Sequence, residues 1–197
     1  MLSLPLKKSL ESKSKSFQQK NKEILDILLF GSILKGKENI RDLDLLIVFK
    51  EKKNLELAYQ FRKLLEPLVK VPVEVTGKAY FELFQEGFLA KEALLSEAYS
   101  LIFGKSFSEG LGFRNQFLFH YTLKGKSKSE RMRFYYSLYG RNAQGMLEKL
   151  KAIKFAETIL LCPAESKEPM KEFLQSWKIE FRELPVLMPK RIFINIL

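Results

Sequence analysis

The sequence predicts an α/β (α+β) domain over residues 1–112, followed by a small α+β domain over residues 113–197. Two observations carry this. Short apolar runs of strand length alternate with helical patterns in the first part, and the texture and charge change near Gly112. With 46% hydrophobic residues in 197, the chain can bury a core, which excludes a disordered protein.

Residues 5–22 are polar and lysine-rich and read as a surface helix or a loose arm. Ile24–Phe30 (ILDILLF) reads as a buried strand ending on Gly31, Leu43–Phe49 (LDLLIVF) as a second, and Val71–Val75 (VPVEV) as a third. Between the last two, Asn54 is placed to cap a helix running to Leu68, with Leu57, Phe61, Leu64, Leu65 and Leu68 at helical spacing. Pro67 disturbs its last turn. Residues 79–98 read as helix and Tyr99–Phe103 as a returning strand. In the second part, Glu157–Cys162 and Lys178–Phe181 read as strands, and Glu168–Ser176 as a helix. Tyr135, Tyr136 and Tyr139 fall in another helix, one face of which must be core.

The longest apolar runs are too short to span a bilayer, and the first residues lack an apolar stretch of signal-peptide length. Cys162 is the only cysteine, so a disulfide within the chain and a thiolate zinc site are both excluded. His120 is the only histidine, flanked by apolar residues in FLFHYTL, and is expected to be packed or hydrogen-bonded. Cys162 and Trp177 are expected in the core. A cytoplasmic protein is the simple expectation.

The formal charge is +11. Residues 1–112 carry 18 Lys+Arg against 15 Asp+Glu, whereas residues 113–197 carry 16 against 8. Charge concentrated in one part points to a polyanionic partner there, nucleic acid before membrane surface; a lysine-rich solvated face is the bland alternative. From Arg114 to Arg141 the cations Arg114, Lys124, Lys126, Lys128, Arg131, Arg133 and Arg141 stand against a single Glu and are interleaved with aromatic rings. Phosphate contacts with ring stacking are how single-stranded RNA is held, so these seven are the candidate RNA contacts.

Asp42 and Asp44 sit two apart, so on a strand they share a face. Two carboxylates beside an apolar run repel and resist desolvation unless a cation joins them. Hard oxygen donors suit Mg²⁺ or Mn²⁺, whose shell a substrate phosphate can complete. Glu74, between valines, offers a third carboxylate, and three together can hold two metals. Gly31 lets the chain turn tightly after its strand, where backbone N–H groups and the Ser32 hydroxyl can cradle phosphates. Arg41 and Lys35 are further phosphate candidates, or solvated loop charges. The plain alternatives are a solvated aspartate pair at a strand start and an edge-strand glutamate facing water.

These residues match a pattern. The segment LFGSILKGKENIRDLDLLIVF, residues 29–49, resembles the signature of the nucleotidyltransferase superfamily (DNA polymerase beta-like), closest to its minimal members. The resemblance covers about residues 24–104 and implies a short mixed sheet flanked by helices. It implies Asp42, Asp44 and Glu74 as catalytic metal ligands, with Gly31 and Ser32 on the triphosphate. Many relatives have Ser where Arg41 stands and Asp where Glu74 stands. A nucleoside triphosphate such as ATP is the implied substrate, with RNA, tRNA-like, as first choice of acceptor. The alternatives are a protein acceptor, as in AMPylating toxin–antitoxin members, and a non-catalytic RNA-binding module.

Overall fold

The computed structural model describes residues 4–35 and 41–194. They fall into two compact units, Met1–Leu111 and Gly112–Leu197, each with its own core.

The first unit opens with helix α1 (Leu4–Lys20), so the polar, lysine-rich start is a helix. Leu10 is fully buried, and Phe17 packs its ring 4.9 Å from that of Phe61. Strands β1 (Ile24–Phe30) and β2 (Leu43–Phe49) run antiparallel and have the expected bounds. Helix α2 (Leu55–Leu65) begins where Asn54 Oδ1 accepts the Leu57 N–H at 3.1 Å. Its last expected turn is instead a 3-10 turn, Glu66–Leu68, because Pro67 cannot donate to a continuing helix. Strand β3 (Val73–Ala79) then pairs parallel with β2 along its whole length.

Three expectations shift here. The third strand starts at Val73 rather than Val71, since Pro72 has no N–H for the ladder and contributes only its carbonyl, to Leu43. It runs on to Ala79 because β2 offers seven consecutive partners. The region 79–98 is a 3-10 turn, Tyr80–Phe84, and a shorter helix α3 (Lys91–Glu97); the Glu82 carboxylate, by accepting the Ala79 N–H, starts the turn where a long helix was expected. The returning strand is only β4 (Tyr99–Ser100), because the Ser100 hydroxyl accepts the Phe103 N–H and folds the chain back into β5 (Lys105–Ser106). Helix α4 (Phe107–Gly110) closes the unit.

The sheet order is β3-β2-β1-β4-β5, a mixed sheet flanked by helices. Leu43, Leu45, Ile47 and Phe49 face one side and pack with α1 and α2. Leu46 and Val48 face the other, with Leu83, Leu94 and Ala98. Asp44, by alternation, belongs to this second side.

Asp26 is a charged group inside this core, 7% exposed. Its Oδ1 accepts the Ile27 N–H at 2.8 Å and the Ser100 O–H at 2.7 Å. Burial outweighs both bonds and pushes its pKa up to about 6. A folded carboxylate with a raised pKa gives stability that is present below about pH 4 and lost as pH rises through 6. Asp26→Asn keeps an oxygen to accept both bonds and removes the charge. It should raise unfolding free energy at pH 8 by on the order of 3 kcal/mol and leave it unchanged at pH 4, as denaturant titrations across that range would read.

The second unit runs β6 (Phe113–Thr122), α5 (Lys128–Tyr139), α6 (Met146–Lys149), β7 (Ile153–Ala156), β8 (Ile159–Pro163), α7 (Lys167–Ser176), β9 (Glu180–Pro189) and α8 (Lys190–Ile194). With sheet order β7-β8-β6-β9 and every pair antiparallel, this is the βαββαβ arrangement of ferredoxin-like folds. Phe119, Tyr121, Leu160 and Cys162 point to the helices and pack on Phe134, Leu138, Met170 and Leu174. Burial pushes the Cys162 thiol up to about 12, so it stays a neutral core group.

The central strand β6 lies where only a basic, ring-bearing stretch was read. Its alternation is blurred by an apolar residue on the outer side: Phe117, Phe119 and Tyr121 turn inward, Arg114, Leu118 and His120 outward. His120 is therefore exposed, not packed. Strand β9 is ten residues long, with Pro185 and Pro189 tolerated because it forms the sheet edge.

Candidate active site

Strand pairing assembles the carboxylates. Asp44 is opposite Phe30 on β1 and opposite Glu74 on β3, so Asp44 and Glu74 emerge side by side on one face. Asp42 precedes β2 by one residue and is half-buried, as is Asp44; Glu74 and Arg41 are exposed. The charges interact. Partial burial, then Asp42, then Glu74 raise the Asp44 pKa above the ordinary carboxylate value.

Gly31 ends β1 at φ 87°, a conformation that costs other residues strain. A Cβ there would collide with the Asp44 carboxylate, so glycine is required for space as well as for the turn. The chain then enters a 3-10 turn, Ser32–Lys35, whose Leu34 N–H bonds the Gly31 carbonyl. The Ser32 and Lys35 side chains lie outside the described residues, as do residues 36–40.

The donor set is all oxygen and strongly negative, which fits a hard divalent cation. Among the described residues, no three His, Cys, Asp or Glu side chains form a ready metal cage. An open set on one face suits a cation shared with a phosphate-bearing substrate, which must supply the remaining ligands.

Residues 10–97 match the family model described as the nucleotidyltransferase domain. They are a nucleotidyltransferase domain. Gly31, Asp42, Asp44 and Glu74 all lie within it, and its presence makes the chain an enzyme of nucleoside-monophosphate transfer from a nucleotide. No curated protein matches the chain. Among solved structures, a chain from a toxin–antitoxin complex with AMP-PNP is 16% identical, with a TM-score of 0.38, covering 51% of this chain and 78% of that one. A chain from the complex of tri-AMPylated Shewanella oneidensis HEPN toxin with MNT antitoxin is 15% identical, with a TM-score of 0.37, covering 53% and 78%.

The seven candidate RNA contacts lie outside that domain and do not form one patch. Arg114 projects from β6, its guanidinium 4.9 Å from the Phe193 ring centre. Lys124 and Lys126 precede α5, Lys128 begins it, and Arg131 Nε donates to the Lys126 carbonyl at 3.0 Å. Arg141 follows the far end of α5, over the Tyr136 ring at 4.7 Å. Twelve residues of helix, about 18 Å, separate these groups. Lys126 and Arg133 instead converge with Lys178, a residue the sequence did not single out.

Among the described residues, no helix is long and apolar enough to cross a membrane.

Proposed function

We propose that the chain transfers a nucleoside monophosphate from a nucleoside triphosphate to an RNA acceptor, with Asp42, Asp44 and Glu74 holding Mg²⁺ or Mn²⁺. The observation that carries this is the Asp44 carboxylate, raised in pKa by partial burial and then by its neighbours Asp42 and Glu74, and lying against a glycine turn that admits no side chain. Three like charges on one face are stable together only when a cation neutralises them. When bound, such ions polarise the phosphate and activate the attacking hydroxyl. Gly31, lacking a Cβ, lets the Asp44 carboxylate lie directly against the turn that would receive the substrate's phosphates. Arg41, exposed beside Asp42, is the cation available to the outer phosphate oxygens.

The acceptor reading rests on charge. The second unit carries most of the positive excess on exposed side chains, including Arg114, Lys124, Lys128, Arg131, Arg133 and Arg141. A protein acceptor is the second reading, favoured by the exposed Tyr80, Phe81, Phe84 and Leu89 in the first unit, an apolar surface fit for a protein partner. Incubation with each labelled triphosphate, Mg²⁺ and total cell extract separates them. Ribonuclease-sensitive label supports RNA, protease-sensitive label supports protein, and no transferred label with any triphosphate sinks the transfer reading.

A further inference from the structure

Four-stranded sheets that bind single-stranded RNA stack bases on aromatic rings of their central strands. The second unit has such a sheet, yet among the described residues no Phe, Tyr or Trp stands on the outer face of β6 or β8. Gln116, Leu118, His120 and Leu161 occupy the face away from the helices, and Gln116 and Leu161 are buried there. An RNA contact must therefore be sought elsewhere on this unit.

A cavity of about 210 Å³ opens at the N-terminal end of α5, lined by Lys126, Arg133, Phe134, Trp177 and Lys178. Three cations surround it. The one carboxylate in its wall, Glu130, is engaged, accepting the Ser127 N–H at 2.8 Å. Trp177 is half-buried, its ring at 72° to that of Phe134 with centres 5.9 Å apart, so the core holds its ring while part of the residue remains accessible.

Lys178 follows the C-terminal end of α7. Helix α7 ends with Lys178 N–H bonded to the Gln175 carbonyl and Ile179 N–H to that of Leu174, and Lys178 takes φ 50°. That left-handed position is normally filled by Gly or Asn, since a longer side chain costs roughly 1 kcal/mol or more there. The chain keeps a lysine at this cost, and its side chain is exposed at the cavity. Lys151 takes the same left-handed turn at φ 52° after α6 without lining this cavity, so the turn itself marks a helix end; what bears on the site is the exposed Lys178 side chain at the cavity wall.

We propose that this cavity is a nucleotide subsite of the RNA acceptor: the Trp177 ring takes a base, and Lys126, Arg133 and Lys178 take the adjoining phosphates. The proposal rests on the RNA-acceptor reading and adds where the strand is gripped. Base–aromatic stacking beside cations is sequence-tolerant, so the class recognised is single-stranded RNA irrespective of sequence.

Trp177 is the only tryptophan, so its fluorescence reports this site alone. The full chain is titrated with hexauridylate, without triphosphate or divalent cation, so the active site is not engaged. Saturable quenching is expected, weakening as salt rises. Lys178→Gly should leave the melting temperature unchanged or higher, weaken binding about tenfold, and lower the salt slope by about 0.7, one phosphate's share on a single strand. Lys126→Ala with Arg133→Ala should lower it by about twice that. If Lys178→Gly stabilises the protein and leaves quenching and slope unchanged, the proposal is overturned. Equal quenching by inorganic polyphosphate also overturns it, since no base is then read. Label transferred to RNA without any quench removes this subsite and keeps the acceptor reading; a quench without transferred label does the reverse.

Discussion

Replacing Asp44 with asparagine is expected to abolish nucleotidyl transfer and, in the same protein, to raise the melting temperature of the metal-free form at neutral pH. The two effects have one cause. Asp44 is half-buried, opposite Glu74 and near Asp42, and both charges disfavour its ionised form. A carboxylate whose folded pKa is raised supplies stability below its unfolded pKa, and that stability is lost as pH rises through the folded value. At pH 7 the ionised Asp44 therefore strains the fold unless a cation is present, and asparagine removes the strain with little change of shape. It also removes a ligand charge that transfer needs. A loss of about 10³-fold or more is expected, the scale on which removing one preorganised electrostatic group costs a reaction. Melting curves with and without Mg²⁺ and a triphosphate supply the contrast: the natural chain should gain stability from the pair, the variant little. An active variant, or one destabilised at pH 7, would remove Asp44 from the metal role. Asp42→Asn should lose transfer in the same way.

What could be read ahead of the structure depended on how local each signal was. Ile24–Phe30 and Leu43–Phe49 were legible to the residue, because a continuous apolar run between polar ends has few other places to go. Asp42, Asp44 and Gly31 could be proposed together because they lie within one short stretch of chain. Glu74 was harder to place, since its meaning comes from a parallel register with β2 across thirty residues of sequence. Strand β6 was missed because the outward Leu118 between inward Phe117 and Phe119 blurs its period-two alternation, and most of β9 because two prolines disguise an edge strand. Lys178 was invisible for a different reason. The position it fills is marked in sequence by glycine, and a lysine there gives no sign of a left-handed turn until the backbone is seen.

Glu74→Gln carries the largest remaining effect and separates two readings of one residue. Glu74 is exposed on the edge strand β3, as a plain surface glutamate would be. A substitution of that kind normally changes stability within about 0.5 kcal/mol and leaves activity alone. Its register opposite Asp44 argues otherwise, because paired strand residues emerge on the same face. Glu74 is also one of the two charges that raise the Asp44 pKa. If Glu74 serves the ion that receives the acceptor hydroxyl, glutamine should lower the transfer rate about 10²- to 10³-fold. Affinity for the Mg²⁺–triphosphate should change little, because Asp42 and Asp44 remain to hold it. The variant should also show a lower Asp44 pKa in a carboxylate titration by NMR, since one repelling charge is gone. That second readout does not depend on turnover. A variant with full activity and an unmoved Asp44 titration would reduce Glu74 to surface charge and leave a two-aspartate site, whereas slowed transfer with intact nucleotide binding makes it the third carboxylate.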